Sequence, residues 1–397
     1  MRMKFSAVLD IGSSKVIAAA VTSAPKGALS VRGMGICPYR GYRLGMLPSK
    51  KELASAIASA VELCEEESGL KIRSVCVGVP VPFTKAVVSS AMLRSGFGGA
   101  KVVEADIDRI IMLSAPKEPP EGFELMHSTP FDFVVNGNKA VSDPVGIRVS
   151  SLEAKVSHIY ADTAFTKLVR EVLCELHLAA DTFIASSVVC SSYVIPGELR
   201  ASDAVIIDCG GNHCDVMHVL GDAVIDSSAI GMGGNYISND ISLVLRLPTD
   251  AGEALKRRFS LTDKKKDDYD KLFIPYEGYV RVKRSLLSDI ITARLDELGR
   301  YLLENIFELL PASAINAPVY MIGGGISSIP GGTEYISDCI GRPIYDYAAH
   351  LDVGCGGERG NVAGRITALA LAEFMLNEYG GGIRAAKSNK KIMVTKP

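Results

Sequence analysis

Residues 204–219 read "AVIIDCGGNHCDVMHV": an apolar segment, an aspartate, a glycine pair and a second apolar segment. Two apolar runs around a glycine turn predict a pair of strands. Asp208 and Asp215 then lie within strands among apolar neighbours, where an unpaired carboxylate costs free energy. Because carboxylates in such positions need a charged partner, the stretch predicts a binding site as well as a hairpin.

The same plan occurs near the start of the chain. Residues 7–21 read "AVLDIGSSKVIAAAV", again an apolar strand, an aspartate, a glycine turn and an apolar strand. Asp208 follows Asp10 by 198 positions, far more than the roughly 20–50 residues of a solenoid repeat. We therefore predict a duplicated α/β domain.

The composition excludes several classes of protein. The 397 residues are 48% hydrophobic and 22% charged, with a formal net charge of −2, which is globular and does not favour binding to nucleic acid. A chain of this length predicts two or more domains. The nine cysteines lack CxxC spacing and lie mostly in apolar runs, which indicates buried free thiols in a reducing cytoplasm and not a disulfide framework or a zinc site.

The membrane-targeting signals are weak. The start of the chain has the basic and apolar character of a secretory signal, but Asp10 interrupts the apolar stretch, and a strand–turn–strand reading explains it better. No apolar run approaches the ~18 residues that cross a bilayer. We expect a cytoplasmic protein, at most peripheral to a membrane.

The pattern along the chain divides it into lobes and an insert. Residues 5–36 predict three strands, and Leu53, Ile57, Val61 and Cys64 form one face of a following helix. Between the repeated halves the pattern changes to the helix "VVEADIDRIIMLSA" and several turn-rich strands, which predict a small inserted α/β module. We predict a first lobe at 1–83 and 162–200, an insert at 84–161, a second lobe at 201–376 and a flexible basic tail at 377–397.

Three glycine turns suit a polyphosphate. These are "DIGSSK" (10–15), "DCGGNHCD" (208–215) and "IGGGIS" (322–327). Glycine lets backbone N–H groups point at a phosphate, since it lacks Cβ and tolerates positive φ. A phosphate-bound magnesium ion needs only one or two carboxylates nearby, a role that Asp10 and Asp208 fill. Each turn alone is a weak signal, and the three in this order are more specific.

The order "LDIGSSK", "IIDCGGNHCD", "GGNYISNDI", "IGGG" resembles the actin-like ATP-binding fold, and more narrowly the bacterial cell-division family FtsA. The insert carries the narrower resemblance, in "EADIDRII", "PFDFVVNG" and "DPVGIRVSSLEAKVSHI". The resemblance covers the chain to about residue 376. It implies a duplicated actin-like (ribonuclease-H-like) α/β fold, with two lobes around a nucleotide cleft and an FtsA-type inserted subdomain.

The resemblance also implies a site for ATP and Mg²⁺. The catalytic positions would be Asp10, Asp208 and Asp215, with Asp10 and Asp208 also facing the metal. The positions that hold the nucleotide phosphates and ribose would be Gly12, Ser13, Ser14, Lys15, Gly210, Gly211, Asn212, His213, Gly233, Gly234 and Asn235. Those near the nucleoside would be Glu253, Lys256, Gly324, Gly325 and Ile326; for Glu253 and Lys256 an exposed helix face is an equal alternative.

The second turn departs from the family pattern of three glycines and a threonine. Asn212 replaces a glycine, which is tolerated at positive φ because asparagine visits that region more readily than most residues. His213 replaces the threonine and is bulkier, so it would crowd the terminal phosphate. We therefore expect ATP binding with weak or absent hydrolysis.

The end of the chain also departs from the family. FtsA proteins attach to membranes through a C-terminal amphipathic helix. Here the end reads "YGGGIRAAKSNKKIMVTKP", too short and too poor in large apolar residues to insert strongly. Its basic residues would add a weak attraction to anionic lipid, and the alternative is a disordered solubilising tail.

Three functions follow from the resemblance. The first is an FtsA-like actin homologue that binds ATP, assembles into protofilaments and links FtsZ-like tubulin homologues and other divisome proteins at the cytoplasmic face of the division site. The second is a nucleotide-independent scaffold, such as a PilM-type pilus-assembly adaptor. The third is a small-molecule kinase or phosphatase, for which Asp215 and His213 are the only candidate bases.

Overall fold

The computed structural model describes residues 5–23, 29–94, 99–263, 268–274, 278–347, 362–379 and 393–394. Elements are numbered in chain order. A first five-stranded sheet has the strand order β11-β4-β1-β2-β3. Its members are β1 (Ser6–Ile11), β2 (Lys15–Ser23), β3 (Leu29–Pro38), β4 (Ser74–Val79) and β11 (Ala179–Ala185). β1 pairs antiparallel with β2 and parallel with β4.

A second sheet repeats this arrangement, with the order β14-β13-β12-β17-β18. Its members are β12 (Asp203–Cys209), β13 (Cys214–Leu220), β14 (Ala223–Ile230), β17 (Val319–Ile322) and β18 (Ile344–Asp346). β12 pairs antiparallel with β13 and parallel with β17, as β1 does with β2 and β4. The predicted duplication is therefore confirmed at the level of sheet topology.

A third sheet forms the inserted module. Its strands are β5 (Thr84–Arg94), β7 (Phe123–Val135), β8 (Lys139–Val141), β10 (Ser151–Asp162) and β19 (Met393–Val394), ordered β19-β7-β10-β5 with β8 beside β7. α2 (Glu104–Ser114) lies on this sheet through Ile107, Ile110 and Ile111, and β6 (Ala100–Lys101) pairs with β9 (Arg148–Val149). Met393–Val394 thus form a short strand within the predicted flexible tail; residues 380–392 and 395–397 of that tail lie outside the described residues.

The other elements cover the two duplicated sheets. They are α1 (Lys50–Ser68), α3 (Thr163–Glu175), α4 (Ser186–Val194), α5 (Gly234–Leu245), α6 (Thr249–Arg258), α7 (Arg284–Leu309), α8 (Gly332–Ile340) and α9 (Ile366–Tyr379), with a hairpin of β15 (Tyr269–Ile274) and β16 (Gly278–Lys283). Leu53, Ile57, Val61 and Cys64 of α1 are buried as predicted. In the described part of the chain, no helix combines the length and apolar character needed to cross a bilayer.

The last helix joins the halves. Most of α9 falls within the predicted second lobe, but it packs against α4, β1 and β2 of the first. Ile366 and Leu371 belong to the apolar core of the first sheet. The opening of the molecule therefore lies between the two repeated hairpins, with α9 at its base.

Candidate functional site

The two repeated hairpins end in turns of the same length and hydrogen bonding. In the first loop (Gly12–Lys15), the N–H of Gly12 donates to the carbonyl of Lys15 at 3.0 Å; in the second loop (Gly210–His213), the N–H of Gly210 donates to the carbonyl of His213, also at 3.0 Å. Both loops close a strand pair. His213 is therefore the positional counterpart of Lys15.

The two aspartates occupy matching places in the sheets. Asp10 and Asp208 are each the next-to-last residue of the strand before a loop, and each strand pairs there with a parallel neighbour, through Gly78 and Ile322. Asp208 also lies directly opposite Asp215 across the antiparallel pair. The repeat thus gives Asp10 and Asp208 equivalent positions, and the pairing of β12 with β13 adds Asp215 beside Asp208.

Burial disfavours the charged forms of Asp10 and Asp208, and repulsion from Asp215 adds to the effect at Asp208. Burial raises the pKa of Asp10 to about 6, against an opposing effect of Lys15. Burial and the neighbouring Asp215 raise the pKa of Asp208 to about 7. Lys15 is itself largely buried, and burial lowers its pKa although Asp10 opposes the shift. A divalent cation or cationic ligand would relieve this repulsion.

A cavity of about 540 Å³ lies between the loops, within the usual size range of nucleotide and small-molecule sites. The predicted residues that line it are Asp10, Gly12, Ser13, Ser14, Lys15, Asp208, Gly210, Gly211, Asn212, His213, Asp215, Gly234, Asn235, Glu253, Lys256, Gly324 and Gly325. Gly233 lies beneath the second loop, where an added Cβ would be 2.6 Å from the carbonyl oxygen of Gly211. Ile326 is buried in the core of the second lobe. Neither Gly233 nor Ile326 lines the cavity.

The glycines at this site mainly allow neighbouring backbone segments to approach each other closely. A Cβ on Gly234 would lie 2.6 Å from the carbonyl oxygen of Gly325 in the third loop (Gly323–Gly325). Gly12, Gly210 and Gly211 are not in the left-handed region, but Gly323 is, at φ 87°. A Cβ on Gly323 would also collide with the carboxylate of Asp208. The sequence pattern singled out Gly324 and Gly325 and missed Gly323.

Glu253, which is partly exposed, and the buried Lys256 form an ion pair that lines the same cavity. Lys256 is 2% exposed, and its Nζ lies 2.6 Å from Glu253 and donates to the carbonyl of Gly234 at 3.1 Å. Burial acts to raise the pKa of Glu253, but Lys256, Ser238 and Arg257 together outweigh it and lower that pKa to about 2. The exposed helix face is instead occupied by Arg257, so Lys256 faces the cleft.

Asn212 connects the two loops. Its backbone N–H donates to Oγ of Ser13 at 3.1 Å, and its side-chain amide donates to the carbonyls of Ser13 at 2.6 Å and Tyr42 at 3.3 Å. The amide of Asn235 donates to Oδ1 of Asn212 at 2.9 Å. Asn212 is not at positive φ. It therefore replaces the glycine of the family pattern without adopting a left-handed backbone.

His213 pairs with a carboxylate of the same hairpin. Its Nε2 lies 3.2 Å from Oδ2 of Asp215, and both side chains are almost fully buried. Burial acts to lower the pKa of His213, but Asp215 outweighs it and the net shift is upward. The ring of Tyr42 lies beside the imidazole, with centroids 5.3 Å apart. An imidazolium in this position balances one of the three carboxylates.

Polar atoms without hydrogen-bond partners belong to residues that line the same cavity. Ser186 Oγ, His213 Nδ1, Asp215 Oδ1 and Ser328 Oγ are buried and make no hydrogen bond, and all four residues line the cavity. Such atoms require a ligand or water. The serine hydroxyls and the His213 imidazole can donate to phosphate oxygens, and together with the closely packed glycines they fit a polyphosphate. Within the described ranges, no cluster of three or more His, Cys, Asp or Glu forms a metal centre; the pair Asp10 and Asp208 fits Mg²⁺, which keeps most of its water.

Three contacts at or next to the loops could not be predicted from the sequence. The hydroxyl of Tyr39 donates to the carbonyl of Gly12 at 2.9 Å, and the hydroxyl of Thr367 donates to Asp208 at 3.4 Å. A Cβ on Gly364 would collide with the ammonium group of Lys15. Tyr39 lies between β3 and α1, Gly364 lies just before α9, and Thr367 lies in the first turn of α9. Only the tertiary fold therefore brings these residues to the site.

The expectation of free thiols is wrong at the second loop. The structure joins Cys209 and Cys214 as a disulfide, and the two residues lie directly opposite each other across β12 and β13. The free cysteines among the described residues are Cys37, Cys64, Cys76, Cys174, Cys190 and Cys339.

Two family models match the chain. The model of cell division protein FtsA matches residues 205–372, and that of the SHS2 domain inserted in FtsA matches residues 85–160. FtsA of Neisseria meningitidis serogroup B is 25% identical over 348 residues, covering 86% of this chain and 83% of that protein. FtsA of Pseudomonas aeruginosa is 24% identical over 345 residues, covering 85% and 81%.

Solved structures share the fold. A PilM–PilN type IV pilus biogenesis complex matches with a TM-score of 0.60 at 16% identity, covering 92% of this chain and 97% of that one. MreB5 of Spiroplasma citri bound to AMPPNP matches with a TM-score of 0.53 at 12% identity, covering 94% and 96%. At these identities the likeness concerns the fold alone, and it confirms the predicted actin-like architecture.

Proposed function

The chain belongs to the FtsA family of cell-division proteins, as a divergent member, and from that premise we propose that it binds ATP with Mg²⁺ between the repeated hairpins. The observation that carries the proposal is the convergence of three glycine loops and three carboxylates on one cavity. The MreB5 structure, of the same fold, contains a nucleotide analogue. Nucleotide binding by this chain is thus the function that the geometry supports best.

Residues in different parts of the cavity would bind different parts of the nucleotide. The backbone N–H groups of the first and second loops and the ammonium group of Lys15 would hold phosphate oxygens. Asp10 and Asp208 would hold the hydrated Mg²⁺, which supplies positive charge to the phosphates. The Glu253–Lys256 pair and the third loop would face the nucleoside.

Hydrolysis is expected to be slow or absent. A carboxylate that orients or deprotonates an attacking water must be able to accept a proton. Asp215 is instead held by His213 at 3.2 Å. A bound imidazole competes with that water, so we propose that the nucleotide serves mainly to set the conformation.

We also propose the family's role in assembly for this chain. It would form protofilaments with further copies and link an FtsZ-like tubulin homologue to other divisome proteins at the cytoplasmic face of the division site. Co-sedimentation with FtsZ filaments tests the link, since recovery of the chain only in the supernatant would contradict it.

A thermal-shift titration with ATP and Mg²⁺ tests the binding. A ligand of the native state stabilises it by RT ln(1 + [L]/Kd), or about 2.7 kcal/mol at a hundredfold excess over Kd. We expect a rise in unfolding temperature for the wild type and none for Asp10→Ala or Asp208→Ala. Asp226→Ala, at an exposed position on β14, is the matched control and should respond like the wild type.

A nucleotide-independent scaffold is the second candidate. The hydrogen bonds of Asn212 to Ser13 and Tyr42 hold the two loops together through protein groups alone, which favours this reading. PilM, of the same fold, is found in a complex with PilN. An unchanged unfolding temperature at millimolar ATP and Mg²⁺ in the wild type would favour the scaffold over the nucleotide-binding protein.

A further inference from the structure

The hairpin of β15 and β16 has one face in the protein core and one face in solvent. The two strands pair antiparallel along their whole length, and successive side chains of each strand point to opposite faces. The inner face places Leu272, Ile274 and Val282 in the apolar core of the second lobe. The outer face consists of six exposed residues, which are Tyr269, Lys271, Phe273, Tyr279, Arg281 and Lys283.

The outer face combines aromatic rings with cations. Phe273 and Tyr279 lie directly opposite each other, are 59% and 78% exposed, and have ring centroids 5.3 Å apart. Towards the other end of the hairpin, the guanidinium group of Arg281 lies over the ring of Tyr269, 4.6 Å from its centroid. Lys271 lies opposite Arg281. Within the described part of the hairpin, the outer face has no acidic residue.

The carboxylates next to the hairpin do not neutralise this face. Asp270 belongs to the inner set of the alternation, and its carboxylate accepts from Nε of Arg284 at 3.1 Å. Asp268 is exposed just before β15, and its Oδ1 accepts from the backbone N–H of Tyr269 at 3.1 Å. Three cations on the outer face outnumber this one exposed carboxylate, so the face is positively charged.

This combination of side chains fits a lipid surface. Exposed apolar patches on a soluble protein mark interaction sites. Aromatic rings such as that of tyrosine favour the boundary between acyl chains and water, and basic residues attract anionic headgroups. A peptide is held by a groove or by main-chain pairing at a strand edge, whereas the distinctive groups here are side chains on the open face of a two-stranded ribbon.

We propose that the outer face of the β15–β16 hairpin binds the surface of an anionic membrane. The aromatic rings would enter the headgroup layer, and the cations beside them would pair with lipid phosphates. The inference goes beyond the proposed function and does not depend on nucleotide binding.

Co-sedimentation of the full chain with phosphatidylcholine vesicles, with and without phosphatidylglycerol, tests the proposal. We expect the wild type to bind the vesicles that contain the anionic lipid, and added salt to weaken this binding. Lys271→Gln combined with Arg281→Gln removes two cations. Because each cation near the surface contributes about fivefold, we expect the partition coefficient to fall about 25-fold. Phe273→Ser combined with Tyr279→Ser should lower it about tenfold or more.

A matched control removes the same charge from another part of the molecule. Lys85→Gln combined with Lys101→Gln, at exposed positions of the insert, should leave vesicle binding unchanged. The basic end of the chain is present in every variant, so its own attraction to lipid does not distinguish them. The hairpin substitutions are on the outer face, and thermal unfolding should show each variant to be folded.

Each outcome decides the proposal. A loss of vesicle binding confined to the two hairpin variants supports it. Absence of binding by the wild type, equal binding to neutral and anionic vesicles, or equal losses in the hairpin and control variants would overturn it. Wild-type binding to polyglutamate, without binding to vesicles, would also overturn it and assign the face to an acidic protein segment. A negative ATP titration would leave this inference intact.

Discussion

Replacement of Asp208 by asparagine is expected to stabilise the ligand-free protein at neutral pH. In the folded state, burial and Asp215 raise the pKa of Asp208 from 3.8 to about 7. Because the folded pKa lies above the unfolded one, ionisation disfavours the fold: the cost is absent below about pH 4, grows as the pH rises and is complete above about pH 7. An asparagine of similar size carries no charge and removes this cost.

The magnitude follows from the size of the pKa shift. A shift of about three pKa units corresponds to about 4 kcal/mol at about 1.4 kcal/mol per unit. Asp208 borders the cavity and is only partly buried by area, so water in the cleft reduces the cost to about 2–3 kcal/mol. For a lobe of roughly 200 residues, that corresponds to a rise on the order of 5–10 °C in unfolding temperature.

The assay is thermal unfolding in EDTA without nucleotide, from pH 4 to pH 8. We expect Asp208→Asn and the wild type to unfold together near pH 4 and to diverge as the pH rises, with the variant more stable at pH 8. Asp226→Asn, at the exposed position on β14, should follow the wild type throughout. A variant that is less stable than the wild type at pH 8, or a difference that does not depend on pH, would refute the electrostatic reasoning.

Two further predictions concern the packing of the cleft. Gly234→Ala would place a Cβ 2.6 Å from the backbone of the third loop, so we expect a loss of about 1–3 kcal/mol and of the ATP-induced thermal shift; Gly197→Ala, with open space around it, should change neither. Lys256→Met would leave Glu253 without its buried partner, and we expect urea denaturation to show a loss of about 2–4 kcal/mol. Arg257→Met, which removes an exposed partner of the same carboxylate, should cost at most about 0.5 kcal/mol; equal losses for the two cations would contradict the assignment.

Local patterns were enough to predict the repeated framework. Each half repeats a strand, an aspartate, a glycine turn and a second strand. Both halves need the same apolar run and the same tight turn, and consecutive residues determine both features. The structure gives both halves one strand order and puts Asp10 and Asp208 at matching positions. The cavity-lining glycines of the first two loops followed from the same signal.

What the sequence did not reveal depends on residues that meet only in the fold. Thr367 reaches Asp208 because α9 packs on the first sheet. The periodicity of a largely apolar helix does not predict which lobe the helix will cover. Gly323 has a left-handed backbone, and an added Cβ there would collide with the carboxylate of Asp208, a residue far from it in the chain. Cys209 and Cys214 face each other through strand register, which spacing rules for disulfides do not consider.

The counterpart relation between Lys15 and His213 explains why the departure in the second loop is tolerated. Each loop closes through the same backbone hydrogen bond, and each places a basic side chain beside the carboxylates. In the first loop the cation is an ammonium group on a long flexible stem, able to follow a ligand. In the second it is an imidazole already committed to Asp215. The two halves would therefore contribute differently to ligand binding. The first loop supplies positive charge to a phosphate, whereas the second supplies mainly backbone N–H groups, and its imidazole pairs with Asp215.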